Sequence, residues 1–213
     1  MAYESGLAEK LINTLPYGIP GLFNPWKDTC EFDEPWNTSV EKLARLEAHL
    51  NCDARYILCG EAPGYQGCRH SGLGFISEHQ LMSQMIPRVN SAYERLTRHA
   101  RPLKEPSATI VWKNLYKLGI QDVTLTWNSV QMHPHKPNDP QTNRKPTGLE
   151  IEHGKESLLM LRDAYPNAIF IGVGRVAEGL LSNVGIKAEC IRHPANGGAT
   201  EFASGLSRLV NKQ

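Results

Sequence analysis

The chain has 213 residues, 40% of them apolar and 21% charged, which suits one globular domain with a full hydrophobic core and excludes a disordered or fibrous protein. No run approaches the roughly 18 apolar residues of a membrane span, and the opening MAYESGLAEK carries an early acid and no apolar signal core, so the sequence reads as cytoplasmic, with no membrane contact. A net charge of +1 excludes a protein that coats nucleic acid indiscriminately.

Charge is nevertheless uneven. Asp28 to Glu34 hold four acids and no base, whereas residues 86–117 carry Arg88, Arg95, Arg98, Arg101, Lys104, Lys113 and Lys117 against Glu94 and Glu105. Such a stretch fits a solvated helix surface or a basic face making salt-sensitive contact with a polyanion. Five cysteines (Cys30, Cys52, Cys59, Cys68 and Cys190) form no CxxC pair. Their odd number and scatter argue against a disulfide framework or a zinc ribbon and make an iron–sulfur cluster the weaker alternative to reduced, mostly buried thiols. No metal or other cofactor is expected.

In chain order, Leu15–Trp36 is rich in Pro, Gly and aromatics and is expected to wrap a sheet edge. Val40–Leu50 repeats Val40, Leu43, Leu46 and Leu50 on one helical face, with Ser39 as N-cap and Glu41 in the first turn. Tyr56–Cys59 reads as a strand, Gln80–Ala100 as a helix, and Ser107–Leu118 as a helix started by Pro106 and stopped by Gly119. Strand Val123–Trp127 is followed by a long loop, Gln131–Thr147, with four prolines and three bases, a length typical of lids and recognition loops. Helix Leu149–Asp163, strand Ala168–Gly172, helix Arg175–Ser182, strand Glu189–Arg192 and helix Ala199–Val210 complete the chain. Strands alternating with helices predict an α/β protein: one three-layer α/β/α domain over residues 1–213 with a central, mostly parallel four-stranded sheet.

Such sheets bind ligands at the carboxyl ends of their strands, and three strand ends are unusual. The first runs Ile57-Leu58-Cys59-Gly60-Glu61-Ala62-Pro63-Gly64 and on to Gly72-Leu73-Gly74-Phe75, a turn of small residues whose amides can close on a planar ligand beside an aromatic ring. The second ends at Trp127-Asn128, where a fixed carboxamide offers an acceptor and a donor side by side. That pair matches N3–H and O4 of uracil and mismatches cytosine. The third ends at Arg192-His193-Pro194, where a neutral imidazole can donate to a carbonyl, and Gly197-Gly198 and the following helix allow a phosphate close to backbone amides. Each of these residues taken singly is as readily a turn or exposed residue; together they point to one pocket.

The segments GEAPGYQGCRHSGLGF (Gly60–Phe75), TWNSV (Thr126–Val130) with NRKPT (Asn143–Thr147), IFIGVGRVAEGLL (Ile169–Leu181) and RHPANGG (Arg192–Gly198) resemble, in order and spacing, the uracil-DNA glycosylase superfamily. The resemblance implies hydrolysis of the N-glycosidic bond of uracil in DNA by a monomer, leaving an abasic site. It implies a substrate-binding turn of Gly60, Glu61, Ala62, Pro63, Gly64, Tyr65 and Gln66. Phe75 would stack on the base, Asn128 would read its edge, and His193 would contact O2. Arg144, Lys145, Asn196, Gly197 and Gly198 would meet the DNA.

The chain departs from the family in informative ways. Ala62 stands where one branch holds its water-activating Asp, and Gly67 where another holds its acid. Glu61 is the only carboxylate of the turn and is expected beside His193 and Asn128 as a catalytic residue, though a secondary one, since its position usually turns its backbone to the base. Gly64 replaces a thymine-excluding Tyr, and Gly197 an intercalating Leu. No lysine in the three turns offers a Schiff base, so a monofunctional enzyme is expected. Ala62 also motivates a second class, a protein that grips uracil-containing or abasic DNA without turnover. The run Gly172-Val173-Gly174-Arg175-Val176-Ala177 fits the dinucleotide pattern GxGxxA, but Glu189 would begin the next strand rather than end it, and 24 residues are too few for a second half-fold.

Overall fold

The computed structural model describes residues 5–90 and 94–212. Helices α1 (Leu7–Asn13), α2 (Ser39–Leu50), α3 (Cys68–Ser71), α4 (Glu78–Met82), α5 (Pro106–Leu118), α6 (Gly148–Ala164), α7 (Arg175–Asn183) and α8 (Ala199–Asn211) surround strands β2 (Tyr56–Gly60), β3 (Thr124–Asn128), β5 (Ile169–Val173) and β6 (Ala188–Ile191). Two short strands, β1 (Leu22–Phe23) and β4 (His133–Pro134), pair antiparallel apart from them. The main sheet has the order β3-β2-β5-β6 and every pairing in it is parallel. Helix α1 packs on α2 and α6, α5 on α8, and α7 on β5 and β6. The expected α/β architecture is therefore the observed one.

Strand composition explains the order. Ile57, Leu58 and Cys59 in β2 are wholly buried, as a central parallel strand covered on both faces must be. β6, at one edge, exposes Glu189 and Cys190. β3 forms the other edge yet is buried throughout. Its amide at Thr126 donates to Nε2 of the buried His49 from α2 at 3.1 Å, so the free edge is closed by a side chain.

The Leu15–Trp36 segment is fastened to this end of the sheet. The Asp28 carboxylate accepts from the amides of Gly18 (2.8 Å) and Asn24 (2.7 Å), and Trp26 stacks on Trp127 with centroids 6.0 Å apart. Asp33 is likewise committed, to Lys42 and His70 at 2.6 Å each. Burial opposes its ionisation, but the His70 bond and the Lys42 charge outweigh this and hold Asp33 below the usual carboxylate range. The acidic run is thus partly internal scaffold.

Two expectations are corrected. The N-cap of α2 is Thr38, whose Oγ1 accepts from the Glu41 amide at 3.3 Å, and Ser39 is the first helical residue. The long helix Gln80–Ala100 does not form: α4 stops at Met82, Gln84 and Arg88 have positive φ of 52° and 69°, and Pro87 lacks an amide hydrogen. Within that range, residues 91–93 lie outside the described ones. The buried carboxylate of Glu78 takes the backbone amides of Leu96, Thr97 and Leu103, the Thr97 hydroxyl and the Arg95 guanidinium, at 2.7–3.1 Å. Those amides are satisfied by a side chain and need no helix. The basic stretch there is divided between structural partners and solvent. Arg88 donates to the Asp122 and His49 carbonyls and Arg95 to Glu78, while Arg101, Lys104, Lys113 and Lys117 stay exposed.

Candidate active site

Register brings the first two strand ends together. Gly60 pairs with Asn128 across β2 and β3, and the following turn is stitched on by Ser129 N–H to the Gly60 carbonyl (2.8 Å) and Val130 N–H to the Glu61 carbonyl (2.9 Å). A Cβ on Gly60 would fall 2.7 Å from both Asn128 Oδ1 and Phe75 Cζ. Only a glycine lets carboxamide and ring close over the strand end.

Phe75 is held in the left-handed region at φ 53°, a conformation costly for an aromatic residue and tolerated where packing enforces it. Enforcement comes from Trp112, whose Nε1–H donates to the Phe75 carbonyl at 2.9 Å. Gly74 adds to it, seated so tightly on the Trp127 backbone that a Cβ there would lie 3.1 Å from it. Asn128 is 5% exposed, and its carboxamide makes no hydrogen bond to protein among the described residues. A buried amide with its donor and acceptor free is costly unless a ligand or water meets it.

These groups wall a recess of about 20 Å³ lined by Glu61, Ala62, Pro63, Gly64, Cys68, Phe75, Glu105 and Asn128. That is room for about one water molecule. Glu61 also lines an adjoining open cleft of about 620 Å³ with Gly174, Arg175, Arg192, His193 and Glu201. Burial raises the Glu61 carboxyl above its ordinary value, and Lys145 opposes that shift.

His193 reaches the site from the turn after β6, its ring centroid 6.1 Å from that of Phe75. The Ala195 amide donates to its Nδ1 at 3.1 Å, which leaves the ring proton on Nε2. Burial, and then the Arg192 charge, lower its pKa. The imidazole is therefore a neutral donor at physiological pH. Gly198 supports this turn from below, since a Cβ there would meet the His193 carbonyl at 2.1 Å.

Not every expected site residue converges here. Tyr65 is buried away from the recess, its hydroxyl paired with His99 Nε2 at 2.8 Å and its ring edge-on to His70. Gln66 is exposed and lines neither cavity. Arg144 is absorbed by structure: it binds Glu150 through both terminal nitrogens (2.8 and 2.5 Å) and the carbonyls of Gly21 and His135. It locks the Gln131–Thr147 loop onto α6, leaving Lys145 as the cation of that pair whose field reaches the pocket. Asn196 and Gly197 are exposed on the His193 turn. Glu105 and Cys68, absent from the sequence-derived site, enter it through tertiary packing.

Two other chemistries are testable on geometry. Cys30, Asp33 and His70 present ligand atoms within 4.8 Å of one another. The Lys42 ammonium already sits 2.6 Å from Asp33, in the place a metal ion would take beside that carboxylate. The cysteines themselves converge on no shared site among the described residues. The GxGxxA run does form a strand–turn–helix, with Gly174 at φ 93°. Glu189 lies within β6 rather than at its carboxyl end, so it cannot take the ribose-binding place of a dinucleotide fold.

No protein-family model and no curated protein matches the chain. Among solved structures, the crystal structure of wild-type Pedobacter heparinus SMUG2 is similar, with a TM-score of 0.61 over 96% of this chain and 98% of that one, at 16% sequence identity. The chain shares the fold of that protein over nearly its whole length.

Proposed function

We propose that this protein is a DNA glycosylase that hydrolyses the N-glycosidic bond of uracil in DNA and leaves an abasic site. The observation that carries the proposal is the free carboxamide of Asn128, held between Gly60 and Phe75 at the floor of a recess beside a neutral His193. The shared fold with SMUG2 and the four motifs in register support it.

In this reading the nucleotide leaves the stack or arrives single-stranded, and the recess opens to admit the base. Asn128 accepts from N3–H and donates to O4, Phe75 covers the ring face, and His193 Nε2–H meets the charge that develops on O2 as the C1′–N1 bond breaks. A donor aimed at charge present only in the transition state lowers the barrier without tightening ground-state binding. Lys145, Asn196 and Gly197 stand as DNA contacts on the rim.

The test is single-turnover incubation with a uracil-containing oligonucleotide followed by alkali. Strand cleavage supports the enzyme; a gel shift without cleavage makes the protein a binder of uracil-containing or abasic DNA instead. Borohydride trapping of a covalent adduct would overturn the monofunctional assignment.

A further inference from the structure

Resting on the glycosylase reading, we propose that Glu105 is the acid–base residue of the reaction, supplying from just before helix α5 the water-activating carboxylate that Ala62 and Gly67 do not provide.

Glu105 immediately precedes Pro106, the first residue of α5, and its side chain does not cap that helix. Instead the carboxyl crosses to α3: a Cβ placed on Gly67 would fall 1.9 Å from Glu105 Oε2 and 2.9 Å from its Cδ. The acid thus fills the space in which a side chain at position 67 would begin. Glycine at 67 is what makes room for it. From there Glu105 shares the one-water recess with Asn128, Phe75 and the turn. The residue is half-buried, and its carboxyl makes no hydrogen bond or ion pair among the described residues.

A carboxyl so placed is costly if its only task is structural. Burial raises its pKa to about 7, which suits a group that exchanges a proton near neutrality. The other titratable groups of the recess are Glu61 on the turn and Cys68 on α3, whose thiol burial pushes well above its ordinary value. Neither is a better base: Glu61 also borders open solvent in the cleft, and Cys68 stays protonated.

The step balances as a hydrolysis. The C1′–N1 bond breaks with its electron pair passing to the base, whose O2 charge His193 meets. The oxygen of the water held by Glu105 forms the new bond to C1′, and the water proton passes to the Glu105 carboxylate.

The deciding experiment compares E105Q, E105D and E61Q with wild type in single turnover on uracil-containing DNA, from pH 5.5 to 8.5, with unfolding midpoints beside the rates. E105Q is expected to lose about 100-fold or more, in the range of general-base catalysis, while DNA binding is kept. The wild-type rate should rise through about pH 7, and that limb should vanish in E105Q and persist in E105D and E61Q. E105D, which keeps a carboxylate but not the shape, should be faster than E105Q, which keeps the shape but not the base.

An E105Q rate within about threefold of wild type, or an order of rates reversed between Gln and Asp, overturns the proposal and leaves the glycosylase reading standing. A variant that keeps its rate on uracil but gains another base places Glu105 on the base edge and also overturns the water-holding role. Should E105Q fail to fold, the presence or absence of the limb in E105D decides. No product from wild type on any uracil-containing strand overturns the underlying reading, and this proposal with it.

Discussion

The amide of Ala195 donates to Nδ1 of His193 at 3.1 Å, and this one bond decides what the imidazole can do. With Nδ1 accepting, the proton resides on Nε2 and the ring is a neutral donor. Pro194, between the two, fixes the backbone that aims the amide.

Replacing His193 by Ala is expected to lower the single-turnover excision rate by about 100- to 1,000-fold, as loss of one preorganised donor does. Affinity for uracil-containing DNA should change far less, because the charge the donor meets exists only in the transition state. Rapid-quench rates beside gel-shift titrations check this. Equal losses in both would make the imidazole structural.

In the proposed reading Asn128→Ala removes two hydrogen bonds to the base, each of about 0.5–1.5 kcal/mol, so the rate on uracil should fall about ten- to a hundredfold. Asn128→Asp should also lose uracil excision, and in its protonated form can donate to N3 of cytosine. Assays on paired uracil and cytosine substrates read both effects. Full uracil activity in Asn128→Ala would move the base pocket elsewhere.

Gly60→Ala tests the close approach itself. The added methyl would meet Asn128 Oδ1 and the Phe75 ring at 2.7 Å, so both must be displaced. Overpacking of this kind costs about 1–3 kcal/mol, and we expect a folded protein with a lowered urea midpoint and a severe loss of excision. Unchanged activity would show that the carboxamide and ring are not held in register by this glycine.

Stability should fall in acid through two buried imidazoles. Desolvation first, and then the charges of Arg88 for His49 and Arg69 for His133, depress both to about 3 from 6.5. The unfolded chain therefore takes up these protons before the folded one does. Their contribution is complete above pH 6.5 and is lost as pH falls from there towards 3, with a slope of up to about 1.4 kcal/mol per pH unit for each. Urea melts at intervals from pH 7.5 to 4.5 measure it. Glu105 acts with the opposite sign: its raised pKa destabilises the folded state as pH climbs from 4.5 to about 7, so the difference between wild type and Glu105→Gln isolates that component. A Glu105→Gln midpoint independent of pH would contradict the imidazole assignment, and a pH-independent difference between that variant and wild type would contradict the one for Glu105.

Much of the architecture was legible in sequence because its signals are local. Short, largely apolar runs marked the four main strands to within a residue or two, most plainly in β2 and β5, since a parallel strand buried on both faces has no polar side to show. Pro106 and Gly119 bracketed α5 because one lacks an amide hydrogen and the other adopts φ 65° freely. The turn after β2, Asn128 and His193 stood out as polar or small residues at strand ends, and parallel pairing sets strand ends side by side.

What escaped was decided over distance. Gln80–Ala100 carries a helical pattern, yet Glu78 draws the amides of residues 96, 97 and 103 onto one buried carboxylate, a competition between partners far apart in the chain. Arg144 has the charge of a DNA contact but spends it on Glu150 and two carbonyls. Most of all, residue order separates Glu105 from the turn it completes. An acid before a proline reads as a helix start, and only the tertiary approach of the start of α5 to the start of α3 carries its carboxyl into the space that Gly67 leaves open. Sequence determined which strand ends could make a pocket, because hydrophobic burial fixes strands locally. Tertiary structure decided which charges face into it, because the orientation of a carboxylate depends on every element that packs around it.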